Sequence, residues 1–444
     1  MNEFMSHQTL KRELHFWDAV GIGIGIIIGV GIFKVPSTIA KHLHEPTDIL
    51  FAWVVGGLIA LCGAFCYAEL ASRYPHTGGT YVFLRESYGK FTSFLFGWTE
   101  IVILRAGSIA AVAYVFASYL SNFIPMGDFG EKIVAIIAIG ILTAINVSGL
   151  RQGTTLQNFL SGLKVFNLIA MSAVIVWVVA KTGVLQFKPN EYEHGMSSSG
   201  ILKFLPAIVP ILWTYGGWHE SAFMAGEFRD TKKELPRAII TSTIIVMTVY
   251  LLINAAYLTI LSADEMVKEK AIASACFLKI FGSSGSAIIT VAVLISAFGA
   301  LNSTVMTGGR IPFALAQDHS KLHWIRGIHE EFGTPHSALI LNGIWAAVLV
   351  VFGTFEQLLY FCQFAQWLFF GLAGVSIFIA RKKGKSQPHF SMFGYPYIPV
   401  MFIAIAISVC ASIIWYTPKE SFIGALLILS GIPIYYGFGL ADKK

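Results

Sequence analysis

Charge is what this chain has least of: only 13% of its residues are Asp, Glu, Lys or Arg, while 55% are hydrophobic. Soluble domains carry about 25% charged residues. A bilayer, where backbone polar groups must bond within the protein, is the solvent such a composition requires. Polar linkers are also missing between the apolar runs, so 1–444 reads as a single membrane domain. Cysteine is scarce: Cys62, Cys66, Cys276, Cys362 and Cys410 lie in or beside apolar runs. Cys62 and Cys66 are four apart, yet no His or further Cys stands near them, which favours packing over a metal site. The 12 histidines are dispersed, and His219-Glu220 lacks a second ligand. Without a nucleophile and base, metal cluster or cofactor motif, an embedded enzyme is disfavoured, and neither a metal nor a cofactor is expected. No filter loop or pore-lining charge ring suggests a channel. The net charge of +6 is scattered over short loops and does not point to nucleic acid. A cleavable signal peptide is not expected, because the first apolar run has no small-residue cleavage site.

What is there is long hydrophobic runs. A spanning helix needs about 20 mostly apolar residues. Twelve candidate spans lie near 17–40, 48–72, 92–123, 131–150, 155–181, 202–228, 236–262, 280–316, 336–355, 357–380, 393–417 and 420–441. With the N-terminus inside, 19 Lys and Arg fall on the cytoplasmic side and 10 outside; Arg105 and Lys164 remain within spans. That excess of positive charge places both termini in the cytoplasm, and the even span count agrees.

Two spans are interrupted. The first reads Gly21-Ile-Gly-Ile-Gly25-Ile-Ile-Ile-Gly29-Val-Gly31, with five glycines where each costs about 1 kcal/mol in a helix interior. The sixth carries Pro206, Pro210 and the pair Gly216-Gly217. Interrupted segments at matching positions of two halves are a sequence pointer to a transporter site. Unwound backbone leaves N–H groups that suit a carboxylate and C=O groups that suit an ammonium. An α-amino acid satisfies both. Gly21, Gly25 and Gly29 also fit small-xxx-small helix packing.

These residues resemble a known family. Gly25-Ile-Ile-Ile-Gly-Val-Gly-Ile-Phe-Lys-Val-Pro36 is similar to the first-span signature of the amino acid–polyamine–organocation (APC) transporters. Tyr67-Ala-Glu-Leu-Ala-Ser-Arg-Tyr-Pro-His-Thr-Gly-Gly-Thr-Tyr81 resembles the loop after their second span. Arg105-Ala-Gly-Ser-Ile-Ala110 resembles a motif of the L-type branch, as Tyr215-Gly-Gly-Trp218 with Leu235-Pro-Arg-Ala-Ile239 resembles the sixth span. Ser296-Ala-Phe-Gly-Ala-Leu-Asn-Ser303 with Arg310 resembles the eighth. The resemblance covers roughly residues 15–320; the last two spans match in hydropathy alone. It implies an all-α membrane fold of 12 helices: a five-plus-five inverted repeat of the leucine-transporter type over 15–181 and 202–381, then two helices over 393–441. It further implies alternating access for amino acids without sodium. The substrate carboxylate would meet N–H groups at Val30 and Gly31, beside Gly29. Its ammonium would meet carbonyls near Ile27, Trp213 and Gly216, next to Gly217, with Trp213 as an aromatic lid. Trp213 also reads as a packed or lipid-facing aromatic.

Departures from the family pattern are Val30 for a common Ser or Thr, Gly226 for the first Glu of a pair that leaves Glu227, and His219-Glu220 for an Asn and a neutral residue. The loop 121–132 has no cysteine, so no disulfide-linked heavy subunit is expected and the chain looks like a free-standing bacterial member.

An ionisable residue inside a span is expensive and is a functional hypothesis by default. In L-type relatives a lysine at Lys164 takes the place of a sodium ion. Its ammonium is expected to bridge carbonyls near Gly25 with polar groups among Ser296, Asn302 and Ser303; the alternative is snorkelling to the interface. Arg105 stands five residues after Glu100, too far round for an ideal helical pair, and is expected to bind carbonyls. Glu220 reads as a proton sensor, a contact for a cationic substrate, or half of a pair. Glu69 and Arg73, spaced i,i+4, read as an inner gate or a helix-end pair. A neutral amino acid is the expected substrate; the alternative is a proton-coupled or amine antiporter of the same superfamily.

Overall fold

The computed structural model describes residues 10–121, 123–183, 204–269, 272–352, 355–384 and 388–437. Lys188, Lys203, Lys270, Lys385, Lys443 and Lys444 of the topology count lie outside them, as do the outermost residues of the sixth and twelfth spans. Among the described residues the chain is helical, apart from one isolated parallel bridge between Leu14 and Phe228.

The helices run in chain order. α1 (Phe16–Ile27) and α2 (Gly31–Ala40) meet at a 44° bend. α3 (Pro46–Arg73) and α4 (Thr80–Tyr88) follow. α5 (Lys90–Thr99) and α6 (Arg105–Leu120) are joined through a π-helical turn, Glu100–Leu104, into one span. α7 (Gly127–Val147) and α8 (Leu150–Thr182) complete the first part. α9 (Leu205–Thr214) ends at a second break, beyond which Glu220–Glu227 winds as a 3-10 helix. Then come α10 (Glu234–Ile260), α11 (Ala263–Lys268), α12 (Ile272–Phe281), α13 (Ser283–Gly308) and α14 (Arg310–Asp318). α15 (His336–Phe352), α16 (Phe355–Lys383), α17 (Tyr397–Tyr416), α18 (Pro418–Leu429) and α19 (Gly431–Gly437) close the chain. A helix stands in each of the twelve segments anticipated from hydropathy. Among the described residues, eight are long and apolar enough to cross a bilayer unaided, or nine with α1 and α2 taken together.

The halves of the first span part company. α1 packs on α8, α10 and α13, whereas α2 packs on α9, α11 and α12. α1 also touches the Glu220–Glu227 segment, so each half of the first break meets one half of the second. Close approach explains part of the glycine pattern. A Cβ on Gly25 would run into the Gln157 amide of α8 and sit 2.6 Å from Ser303 Oγ of α13. A Cβ on Gly29 would meet nothing closer than 3.8 Å. Gly25 is thus a packing glycine, and Gly29 belongs to the break. Facing outward, Phe159 and Phe166 of α8 and Ile407 and Trp415 of α17 are exposed. Such an apolar rim suits lipid rather than water.

Candidate functional site

Breaking a helix in a membrane frees carbonyls that must find other donors. At the first break they find them on three helices. Lys164 Nζ of α8 donates to Gly25 O (2.6 Å) and Ile28 O (2.8 Å). Ser296 Oγ of α13 donates to Ile28 O (3.2 Å) and Gly29 O (3.1 Å). Tyr250 Oη of α10 donates to Ile27 O (2.7 Å) and, across to the second break, to Thr214 O (3.3 Å). Lys164 is 2% exposed, and its ammonium is met by carbonyl dipoles. A buried ammonium without such partners would cost several kcal/mol. Snorkelling does not occur, because the charge is held inside the bundle.

None of Ser296, Asn302 and Ser303 bonds to Lys164, which corrects the expectation; Ser296 shares the acceptor Ile28 O with it instead. Asn302 Nδ2 donates to Gln157 Oε1 (2.9 Å), its Oδ1 accepts from Asn146 Nδ2 (2.9 Å), and Ser303 packs against Gly25. The physical reason is rotation. Ser296 lies about two helical turns from Asn302 with 600° between them, so the two side chains leave α13 in different directions. Asn302 therefore ties α13 to α7 and α8, away from the break.

The second break is built by Gly216 and Gly217. Gly217 has φ +110°, where a Cβ would also strike the Ile26 side chain. Between the breaks lies a cavity of about 150 Å³, lined by Ile27, Gly29, Val30, Gly31, Trp213, Gly216, Gly217 and Glu220. Span three adds Gly107, Ser108 and Ala111, α13 adds Ala300 and Thr304, and α16 adds Gln363, Gln366 and Phe370. The N–H groups of Gly31 and Ile32, which open α2, have no helical carbonyl behind them, while Phe33 N donates to Val30 O (3.2 Å). Ile27 O already accepts from Tyr250 Oη and from Gly29 N (2.8 Å), which fills both of its lone pairs. Lys164, Asn302 and Ser303 do not line the cavity.

Arg105 departs most from expectation. It binds carboxylates, not carbonyls: its Nη1 donates to Glu220 Oε2 (2.6 Å) and Thr307 Oγ1 (3.3 Å), and its Nε stands 3.5 Å from Glu100 Oε2. The cause is the π turn at Glu100–Leu104, whose i→i+5 pattern brings residues five apart onto one face. Thr307 Oγ1 also contacts Glu220 Oε2 at 2.8 Å. His219 is buried in an aromatic cluster with Tyr67, Trp218 and Phe370, with its Nε2 3.2 Å from Gln366 Nε2.

Beyond that cluster one face is closed by ion pairs, of which the sequence singled out Glu69–Arg73 and not the pairs of Glu227 with Arg310 or Glu69 with Arg381. Arg310 and Glu227, both 1% exposed, form a two-bond pair (2.8 and 2.7 Å) beside the Leu14–Phe228 bridge. Glu69 pairs with Arg73 and, over a far longer sequence distance, binds Arg381 twice (2.9 and 2.6 Å) and accepts from Met392 N. Tyr250, Gln363, Gln366 and Arg381 were missed. Tyr250 carried a faint signal as a polar ring within a run that holds no charge.

Comparison with known proteins places this geometry. Residues 14–438 match the family model described as amino acid permease. The serine/threonine exchanger SteT of Bacillus subtilis (strain 168) is 32% identical over 434 residues, 96% of this chain and 97% of that protein. The b(0,+)-type amino acid transporter 1 of Mus musculus is 29% identical, over 98% of this chain and 90% of its own length. The large neutral amino acids transporter small subunit 2 of Oryctolagus cuniculus is 28% identical, over 96% and 80%. These relatives are transporters and exchangers, not enzymes. This multi-pass membrane chain belongs to the amino acid permease family of the APC superfamily, in its L-type-like branch.

Proposed function

We propose that the chain is a sodium-independent exchanger of neutral L-amino acids working by alternating access, with the substrate held between the two helix breaks. The observation that carries this reading is the division of labour at the first break. Its carbonyls are engaged by Lys164, Ser296 and Tyr250, while the helix-opening N–H groups border the cavity. The substrate carboxylate goes to the N–H groups at Val30 and Gly31, helped by the α2 dipole. The ammonium goes to carbonyls at Trp213 and Gly216 rather than Ile27, whose lone pairs are occupied. Trp213 covers the substrate. A cavity near 150 Å³ takes a guest of about benzene size, which suits a small neutral amino acid. Lys164 couples substrate to helix movement by holding α1 to α8 as a fixed cation, in place of a bound metal ion.

The fold reading goes with it: twelve spans, inverted repeats at 15–181 and 202–381, and two further helices at 393–441. The crosswise packing of α1 on the 220–227 segment and of α2 on α9 supports opposed half-helices. The excess of Lys and Arg supports cytoplasmic termini and a cell-membrane location. The cysteine-free loop 121–132 supports a chain that works without a disulfide-linked heavy subunit. Counterflow into proteoliposomes, run with each of the twenty amino acids with and without sodium, tests the proposal. Accumulation of neutral amino acids, unchanged without sodium, is the expected result. Strict sodium dependence or no counterflow by any amino acid would overturn it.

A further inference from the structure

Two carboxylates share one guanidinium beside the cavity. Glu100, Arg105 and Glu220 are 2%, 4% and 9% exposed, so the group as fully ionised would carry a net negative charge away from water. Transfer of an uncompensated charge into such a site is far costlier than transfer of a neutral carboxyl. The geometry is also lopsided. Glu220 holds Arg105 Nη1 at 2.6 Å and meets Thr307, while Glu100 has Arg105 Nε only at 3.5 Å, and its buried Oε2 makes no hydrogen bond. The carboxyl with the poorer partners is the one that keeps a proton.

We propose that Glu100, Arg105 and Glu220 form a one-proton binding site that exchanges with the cavity and makes amino acid movement depend on pH. In the arrangement seen, the proton forms the O–H bond of Glu100, and Arg105 is paired with ionised Glu220. Glu220 lines the cavity and Glu100 does not, so exchange with cavity water passes through Glu220. The proton shifts within the group: the O–H bond of Glu100 breaks as one forms on Glu220, Arg105 swings from Glu220 to the newly ionised Glu100, and the group keeps one proton throughout. Loss of that proton to the cavity leaves both carboxylates competing for Arg105, which pulls span three against the second break. The other titratable groups near the triad are His219 on the break, Tyr67 of α3 and Cys362 of α16. Arg310 of α14 is taken by Glu227.

This rests on the permease reading for its effect on transport but not for the site itself, and two measurements keep them apart. The first is an infrared difference titration of the purified protein in lipid between about pH 5 and pH 9. A protonated-carboxyl band that disappears at high pH is expected, and it is absent throughout in Glu100→Gln. No such band, or the same band retained in Glu100→Gln, overturns the proposal; the wild-type titration decides it alone if the variant does not fold. The second is uptake of radiolabelled L-serine and L-leucine at the same pH values. Wild-type rates change by up to about tenfold per pH unit, the limit for one titrating proton. Glu100→Gln carries the substrate with a flat profile. Identical profiles in the two overturn the coupling. If neither probe moves in wild type, the permease reading fails on those substrates, while the infrared result still decides the proton site.

Discussion

Lys164 was legible in the sequence because nothing else in its apolar run is charged, and an unshielded ammonium there needs an explanation. What its partners are depends on rotation about two helix axes, which spacing does not reveal; hence Gly25 was anticipated and Ile28 was not, and Asn302 was misplaced. Lys164→Ala removes the donor to both carbonyls and leaves a void next to Gly299. Uptake into vesicles is expected to collapse while membrane expression, read by immunoblot, persists; normal uptake would refute the coupling role. Tyr250→Phe keeps the ring and removes the hydroxyl that ties Ile27 O to Thr214 O. Ile27 O retains Gly29 N, so the loss is near the net value of one hydrogen bond, about 1 kcal/mol. Counterflow should show the KM for substrate raised roughly fivefold at unchanged expression. An unchanged KM would mean that the link between the breaks does not hold the binding geometry.

Of the helices, the broken ones announced themselves and the π turn did not. Glycine and proline mark a break in any sequence, since both weaken a helix interior by known amounts. A π turn has no residue signature. In Glu100-Ile-Val-Ile-Leu-Arg105 every residue suits an ordinary α-helix, and a period of 3.6 sends the two charges apart. The pairing was therefore invisible until the backbone was seen. If the turn exists to bring Glu100 under Arg105, removing one residue should be costly only while Glu100 carries its carboxyl. Deletion of Val102 restores α-helical register and rotates Glu100 by about 100° relative to Arg105. With Glu100 neutral, the loss is that of one buried polar contact, about 1–3 kcal/mol, so the melting temperature in detergent should fall by a few degrees. The same deletion in a Glu100→Leu background should cost clearly less, because coupled sites are not additive. Equal losses in both backgrounds would show that the turn serves only the packing of α5 and α6.

The whole bundle is asymmetric about its cavity. On the face that we assign to the cytoplasm, the cavity is shut by the Leu14–Phe228 bridge, the Glu227–Arg310 pair and the Glu69 contacts to Arg381 and Met392 N. These tie the chain's start, α3, α14, α16 and the segment before α17 into one layer. Alternating access requires that layer to separate, so weakening one tie should raise the population open on that side. Glu69 does not line the cavity, and Glu69→Gln keeps its shape while removing the charge that binds Arg381 at 2.6 and 2.9 Å. A loss of about 1–3 kcal/mol in coupling corresponds to a population shift of about 5–150-fold. The native Cys362 reports it, because it lines the cavity and is buried here. A membrane-impermeant maleimide added to inside-out vesicles should label Cys362 at least about fivefold faster in Glu69→Gln than in wild type. Saturating substrate should slow the labelling in both, since an occupied cavity shields the thiol. Peptide mass spectrometry separates Cys362 from the other four cysteines, which lie elsewhere in the fold. Equal labelling rates in the two proteins would mean that this layer is held by the Glu227–Arg310 pair and the backbone bridge alone. Faster labelling only from the opposite membrane face would reverse the orientation inferred from the Lys and Arg distribution.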